Sequence, residues 1–529
     1  ADLRAARGGR GSGVTIEDPA ERGFITDQDD LDVAAEGTDE RAPDGLAPEP
    51  DSAAVIAPTD SDVGSAAAAE ADLSVLDTRP EPGPPRDYRF PKFERARLSN
   101  GLTVMHAHVP GRALLAAHLI MPGGGWAEPA DQAGVTVLTG RAMPEGTRRL
   151  NAVEFIEASE RLGAEIHADA SWESLNATMD VPRSRFGPAL ALMAEMAFEP
   201  AFPGDEVERL RDERMNDLLQ AWSDPRRRAE RVFPETVYAP GIPYSRPLGG
   251  IQSTVRPLDR DALVERHRGL VDPSAATLVV AGDLTGVALI ELAEEHLGQR
   301  SGEASTPPVA QQTVAGHPSG ARIVLVDRPS APQSELRIGH VGVARKTPDF
   351  HAISVLNAIL GGTFNSRLNR VIREEKGYSY GINSSFEMRR RAGPFAIRCA
   401  VETAVTVPAL EEALRIVRDM TEIAPEAHEL NVARDYLIGV FPLRFESSGQ
   451  VVAALSGLVV FELPDDELDQ YRPAVAAVDT DAVMAAARRN IRPDELSVVI
   501  VGDAKEVEGP LRAAGLGEVT VIPADASPE

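Results

Sequence analysis

The chain has 529 residues, too many for a single hydrophobic core and suited to two or three domains. Its formal net charge of −28 removes any electrostatic footing for nucleic-acid binding, and no apolar run approaches the ~18 residues needed to span a membrane. Cys399 is the only cysteine, which excludes an intrachain disulfide framework and a cysteine-rich zinc site.

From residue 1 to 87 the sequence is rich in Ala, Gly, Pro and acids. About nineteen carboxylates face six arginines up to Pro80, so roughly −13 of the charge sits here, the composition of a disordered acidic tail ending in a stiff proline-rich linker. The folded body begins near Tyr88. Leu102–Val109 and Ala113–Met121 have strand character and are separated by Pro110-Gly111, which reads as an antiparallel hairpin. Helical periodicity follows over Ala133–Ala142, Ala152–Leu162, Arg185–Ala197 and Gly204–Trp222, and a strand over Thr277–Ala281 lies in the phrase TLVVAGDL.

Residues 299–320 are rich in Ser, Thr, Pro, Gln and Gly without periodicity and read as a linker. The pattern then restarts, with strands near Arg322–Val326 and Glu335–Val341, a helix near His351–Leu360, and a closing SVVIVGDA about 220 residues after its first-half counterpart. This is duplication at domain length. The expected architecture is α+β, with two duplicated domains at 88–298 and 321–510, each an antiparallel sheet packed with helices, and a C-terminal tail over 511–529.

The segments LSNGLTV, GGGWAEP and GVTVLTGRAMPEGT in the first half carry a resemblance to the insulinase/pitrilysin family of zinc peptidases, the inverzincins. Active members place H-x-x-E-H inside the third segment. Framed by Gly134 and Gly146-Thr147, those columns fall on Val137, Gly140 and Arg141. The chemistry needs two neutral imidazoles one helical turn apart and a carboxylate acting as base on zinc-bound water. Valine has no lone pair, glycine has no carboxylate, and arginine carries a fixed positive charge where a dication would sit. The family's third ligand, a later glutamate, would fall near Asn216 or Asp217, and no H-x-x-E-H or H-E-x-x-H occurs among the ten histidines.

The second half is similar to the family's C-terminal domain through LGGTFNSRLNRVIREEKGYSYGINSSF. In two-chain members, the Arg and Tyr of this motif hold substrate across the cavity from the partner's zinc; by position they are Arg373 and Tyr380. The competing reading is a surface arginine in a charged helix and a core tyrosine. The longer glycine-rich loop of the non-catalytic processing-peptidase chain is reduced here to Gly361-Gly362.

The resemblance therefore implies a non-catalytic, substrate-binding subunit of a heterodimeric zinc metallopeptidase that cleaves or processes peptides. It would bind no cofactor itself, and a partner chain with intact H-x-x-E-H would supply the zinc. The alternative is a non-enzymatic scaffold resembling respiratory-complex core proteins. A soluble chain, cytoplasmic or periplasmic, fits either, and the compartment is open. Three further features stand outside this reading. The hairpin would bring His106 and His108 beside His118, although half-buried strand histidines are commoner than such a metal site. The runs Arg226–Arg228 and Arg389–Arg391 read as solvated patches or contacts to an acidic partner. The tail's GGRGSG lacks the flanking strand and helix of a phosphate loop.

Overall fold

The computed structural model describes residues 83, 86–302, 314–317 and 321–524. The acidic tail up to residue 82, most of the expected linker, and 525–529 lie outside the described residues. Strands β1 (Phe93–Arg97), β2 (Thr103–His108), β3 (Leu114–Pro122), β4 (Glu165–Ala170), β5 (Ser174–Pro182) and β6 (Thr277–Gly282) form the first sheet. Strands β7 (Ile323–Asp327), β8 (Gln333–Val341), β9 (Ile382–Phe386), β10 (Pro394–Glu402), β11 (Ser497–Gly502) and β12 (Val519–Ile522) form the second.

The sheet orders are β1-β2-β6-β3-β5-β4 and β12-β7-β11-β8-β10-β9. The two phrases that suggested duplication, β6 and β11, occupy the same central place in their sheets, so the fold is two copies of one α+β plan. Both strands are buried along their whole length, which explains their unbroken Val/Ile/Leu/Ala composition.

Three expectations change. The sheets are mixed, because β6 runs parallel to β2 and β11 parallel to β7. The expected β2–β3 hairpin is absent, since β6 inserts between them. Lastly, the expected tail from 511 holds the end of the Ala504–Ala513 helix and then β12, which pairs in parallel with β7. A short apolar strand close to a chain end carries little local signal; long-range pairing with β7 decides it.

Each half covers the other's sheet. The helix Pro225–Val237 starts at Asp224, whose carboxylate accepts the N–H of Arg227 at 2.8 Å. It packs Ala229, Val232 and Phe233 against Val324, Val326, Val499 and Val501 of the second sheet. Its Glu230 accepts hydrogen bonds from Arg337 at 2.6 Å and Arg398 at 3.1 Å; burial pushes its carboxyl up, but these two guanidiniums outweigh it and hold the group down at about 2. In return the helix Ser448–Val460, opened by a Ser447/Gln450 capping box, lays Val451, Val452 and Leu455 over Met105, Ala107, Val279 and Ala281 of the first sheet. A helix that is apolar nearly all round is buried on both sides, and this one sits between the first sheet and the second half's own helices.

The arginine runs are part of this junction. Arg389 lies over the rings of Trp172 and Tyr244, at 4.8 and 4.6 Å, and Arg391 over Trp126 at 4.0 Å. Arg228 is buried against Trp222 at 4.1 Å, and Arg227 donates to Asp217 at 2.8 Å. Most of these side chains are therefore packed between elements, because guanidinium faces stack on aromatics while their edges pair with carboxylates. The chain leading into β1 also crosses over: Tyr88 and Phe90 pack on Phe445 of the second half.

Candidate functional site

The first-half element that would carry metal is intact as a scaffold. The helix Val135–Ala142 starts from Gly134 at φ 94°, a left-handed position suited to glycine. The buried Glu128 accepts the N–H groups of Gly134 at 3.0 Å and Thr136 at 2.8 Å, tying down the helix N-terminus. Burial pushes the Glu128 carboxyl up, against those backbone bonds and the nearby Arg266. Arg266 in turn donates to the carbonyls of Gly123 at 2.7 Å and Gly124 at 2.9 Å and to Thr136 Oγ1 at 2.8 Å.

What this helix presents does not fit zinc. Val137 is 3% exposed and packed in the first core. A side chain at Gly140 would begin 3.2 Å from the backbone of Asp169 on β4, so the helix lies closer to that strand than most residues permit. Arg141 pairs with Glu213 at 3.5 Å on the helix Gly204–Ser223, and Arg209 of that helix binds Glu145, Glu206 and Glu213 at 2.6–2.8 Å. Near the place expected for a third ligand, Asp217 is engaged by Arg214 and Arg227. An arginine–carboxylate lattice joins these two helices where ligands would be needed. Glu213 and Glu128 are the participants that sequence reasoning missed, since neither stands in a metal motif.

The histidines suggested as a metal cluster are not brought together as a hairpin would bring them. His108 Nδ1 accepts the N–H of Leu284 at 3.1 Å, while His118 meets Ser456 Oγ at 3.3 Å beneath the crossing helix. Burial and the neighbouring His167 lower His118 to about 4.

In the second half the helix Phe350–Leu360 ends at Gly361, which sits so close to β9 that a Cβ would be 2.5 Å from Ser384 Oγ. The loop that follows is stapled by Asn369, which donates to the Thr363 carbonyl at 3.2 Å and accepts the N–H of Ile382 at 3.3 Å. Residues Asn369–Glu375 form a π-helix, with the N–H of Lys376 reaching back to the Val371 carbonyl at 3.0 Å. π-turns of this kind occur frequently at functional sites.

Arg373 belongs to this turn, and its guanidinium carbon lies 4.1 Å from the centroid of the Phe364 ring. Among the described residues it makes no ion pair, whereas its neighbour Arg367 binds Glu429 through two bonds of 2.9 and 2.8 Å. Tyr380 is 94% exposed and Phe364 60%. Tyr380 follows Ser379, which is anchored by donating to the Ala400 carbonyl at 2.8 Å. The reading of Tyr380 as a core residue is therefore wrong: the turn between the π-helix and β9 holds it outward. No hydrogen bond, ion pair or ring contact joins Arg373 or Tyr380 to Val137, Gly140 or Arg141 among the described residues. The two sets stand on separate halves.

Among the described residues, no helix is long and apolar enough to cross a membrane. Residues 103–247 match the model of the insulinase family, peptidase family M16, and residues 257–437 match that of the peptidase M16 inactive domain. The chain is 26% identical over 370 residues to an uncharacterized zinc protease of Mycobacterium tuberculosis, covering 68% of this chain and 82% of that protein. It is 24% identical over 337 residues to a non-peptidase homolog of Helicobacter pylori, covering 62% and 75%. The crystal structure of the peptidase M16 inactive domain from Pseudomonas fluorescens superposes with a TM-score of 0.69 at 22% identity, over 78% of this chain and 98% of that one. With two consecutive family models on a duplicated α+β fold, this chain belongs to the insulinase family, peptidase family M16.

Proposed function

We propose that this chain is the non-catalytic, substrate-binding subunit of a two-chain insulinase-like zinc peptidase. A partner chain with an intact H-x-x-E-H supplies zinc and the general base, and this chain contributes Arg373 and Tyr380 to hold the backbone of a peptide substrate. The observation that carries the reading is a contrast between the halves. The zinc positions are occupied by a buried valine, a glycine pressed on a strand and an ion-paired arginine, while Tyr380 stands exposed, Arg373 lies half-buried on the Phe364 ring, and neither side chain has a hydrogen-bond or ion-pair partner among the described residues. A guanidinium and a phenol donate to a substrate carbonyl or to the oxyanion that develops from it.

The naming of the Helicobacter pylori relative as a non-peptidase homolog is in keeping with this division of labour. Co-purification with the cognate zinc chain tests it. Arg373→Ala should lower kcat/KM about 10- to 100-fold, the loss expected for one charge-assisted hydrogen bond, and Tyr380→Phe should lower it by less. Unchanged turnover in both variants rules out the substrate role.

A further inference from the structure

Arg373 differs from Arg367 and Lys376 in what holds it. Arg367 is committed to Glu429, and Lys376 stands 3.9 Å from Glu412. Arg373 has no carboxylate partner among the described residues and instead rests on the face of Phe364, 4.1 Å from its guanidinium carbon to the ring centroid. That ring is itself 60% exposed, so burial of apolar surface does not explain its place. The loop that carries it is fixed at both ends, by Gly361 packed against Ser384 and by Asn369 bonded to the Thr363 carbonyl at 3.2 Å.

A carboxylate would orient a guanidinium by occupying its N–H donors and neutralising its charge. An aromatic face attracts the cation through its quadrupole and leaves the five in-plane N–H groups directed outward. We infer that Phe364 is a positioning residue for Arg373: it fixes the guanidinium plane by a cation–π stack and so keeps both charge and donors available for a peptide carbonyl or carboxylate. This deepens the proposed function and rests on it, because the stack matters for turnover only if Arg373 meets substrate. The ring's own free edge adds an apolar contact beside the donors, which favours peptides over small polar ligands.

Two measurements on Phe364→Leu and Phe364→Tyr test this. In the chain alone, labelled with [13C,15N]arginine, the Arg373 side-chain resonances, assigned by Arg373→Lys, should show a ring-current shift that disappears in Phe364→Leu and persists in Phe364→Tyr. In complex with the zinc chain, using fluorescein-labelled casein as probe, Phe364→Leu should lower kcat/KM roughly two- to five-fold, as expected for an exposed cation–π contact. Phe364→Tyr should restore it, and Phe364→Leu should add nothing on an Arg373→Ala background. If Arg373→Ala lowers turnover but Phe364→Leu does not, the positioning role is overturned while the substrate role stands. If Arg373→Ala itself has no effect, the parent reading has failed. A loss in Phe364→Leu that comes with reduced co-purification of the zinc chain makes Phe364 an interface residue and also overturns the inference.

Discussion

His340, in β8 of the second half, is 2% exposed and held near 4, first by burial and then by the neighbouring Arg492 cation. Its Nδ1–H donates to the Val341 carbonyl at 2.8 Å, and its Nε2 accepts the backbone N–H of Arg492 at 3.1 Å. A second proton on Nε2 would set donor against donor. Because the folded value lies below the ordinary 6.5, the unfolded chain takes up the proton first as pH falls. Stability is therefore fully present above about pH 6.5 and is lost progressively toward pH 4. Between about pH 7 and 4.5 this single group withdraws about 2 kcal/mol. His340→Gln keeps an acceptor but has no proton to gain, so urea unfolding at the two pH values should show the wild type losing about 2 kcal/mol more than the variant. His118 lies in the other half and titrates the same way in both proteins, so it cancels. Equal losses would show that the fold does not hold His340 neutral.

Two further outcomes follow from the packing. Leu455→Ala, in the helix that covers the first sheet, removes a fully buried side chain and should cost about 2–5 kcal/mol; a single calorimetric transition at a lower midpoint is expected, because that helix belongs to both halves. The combined substitution Val137→His, Gly140→Glu and Arg141→His should not retain one zinc per chain after dialysis, as read by elemental analysis. The new glutamate would start 3.2 Å from the Asp169 backbone, and Asp217 is already paired with Arg214 and Arg227. Stoichiometric zinc in that variant would show that the lattice yields.

What could be read from the sequence was local. Helix spans such as Ala152–Leu162 follow from periodicity and from the Asn151/Glu154 capping box. The lost ligands at Val137, Gly140 and Arg141 were visible because fixed glycines frame them. Features set by long-range contacts were not visible. Nothing near β2 or β3 announces that β6 will part them. The triplet at Arg389 looks like a solvated run until Trp172 and Tyr244, remote in the chain, meet it. Phe364 lies inside the second-half motif, yet its contact with Arg373 crosses a loop and a π-turn, and no simple helical spacing predicts it.

In the proposed two-chain enzyme this chain supplies substrate contacts to a zinc site housed elsewhere. The most direct test is a titration of the cognate zinc chain, held at fixed concentration, with this chain, using fluorescein-labelled casein turnover as the readout. The expected result is no turnover by this chain alone with or without added zinc, and activity that rises to a plateau at one chain per zinc chain and falls sharply when Arg373→Ala is titrated instead. Full activity of the zinc chain by itself, or turnover by this chain alone that a chelator abolishes, would contradict it.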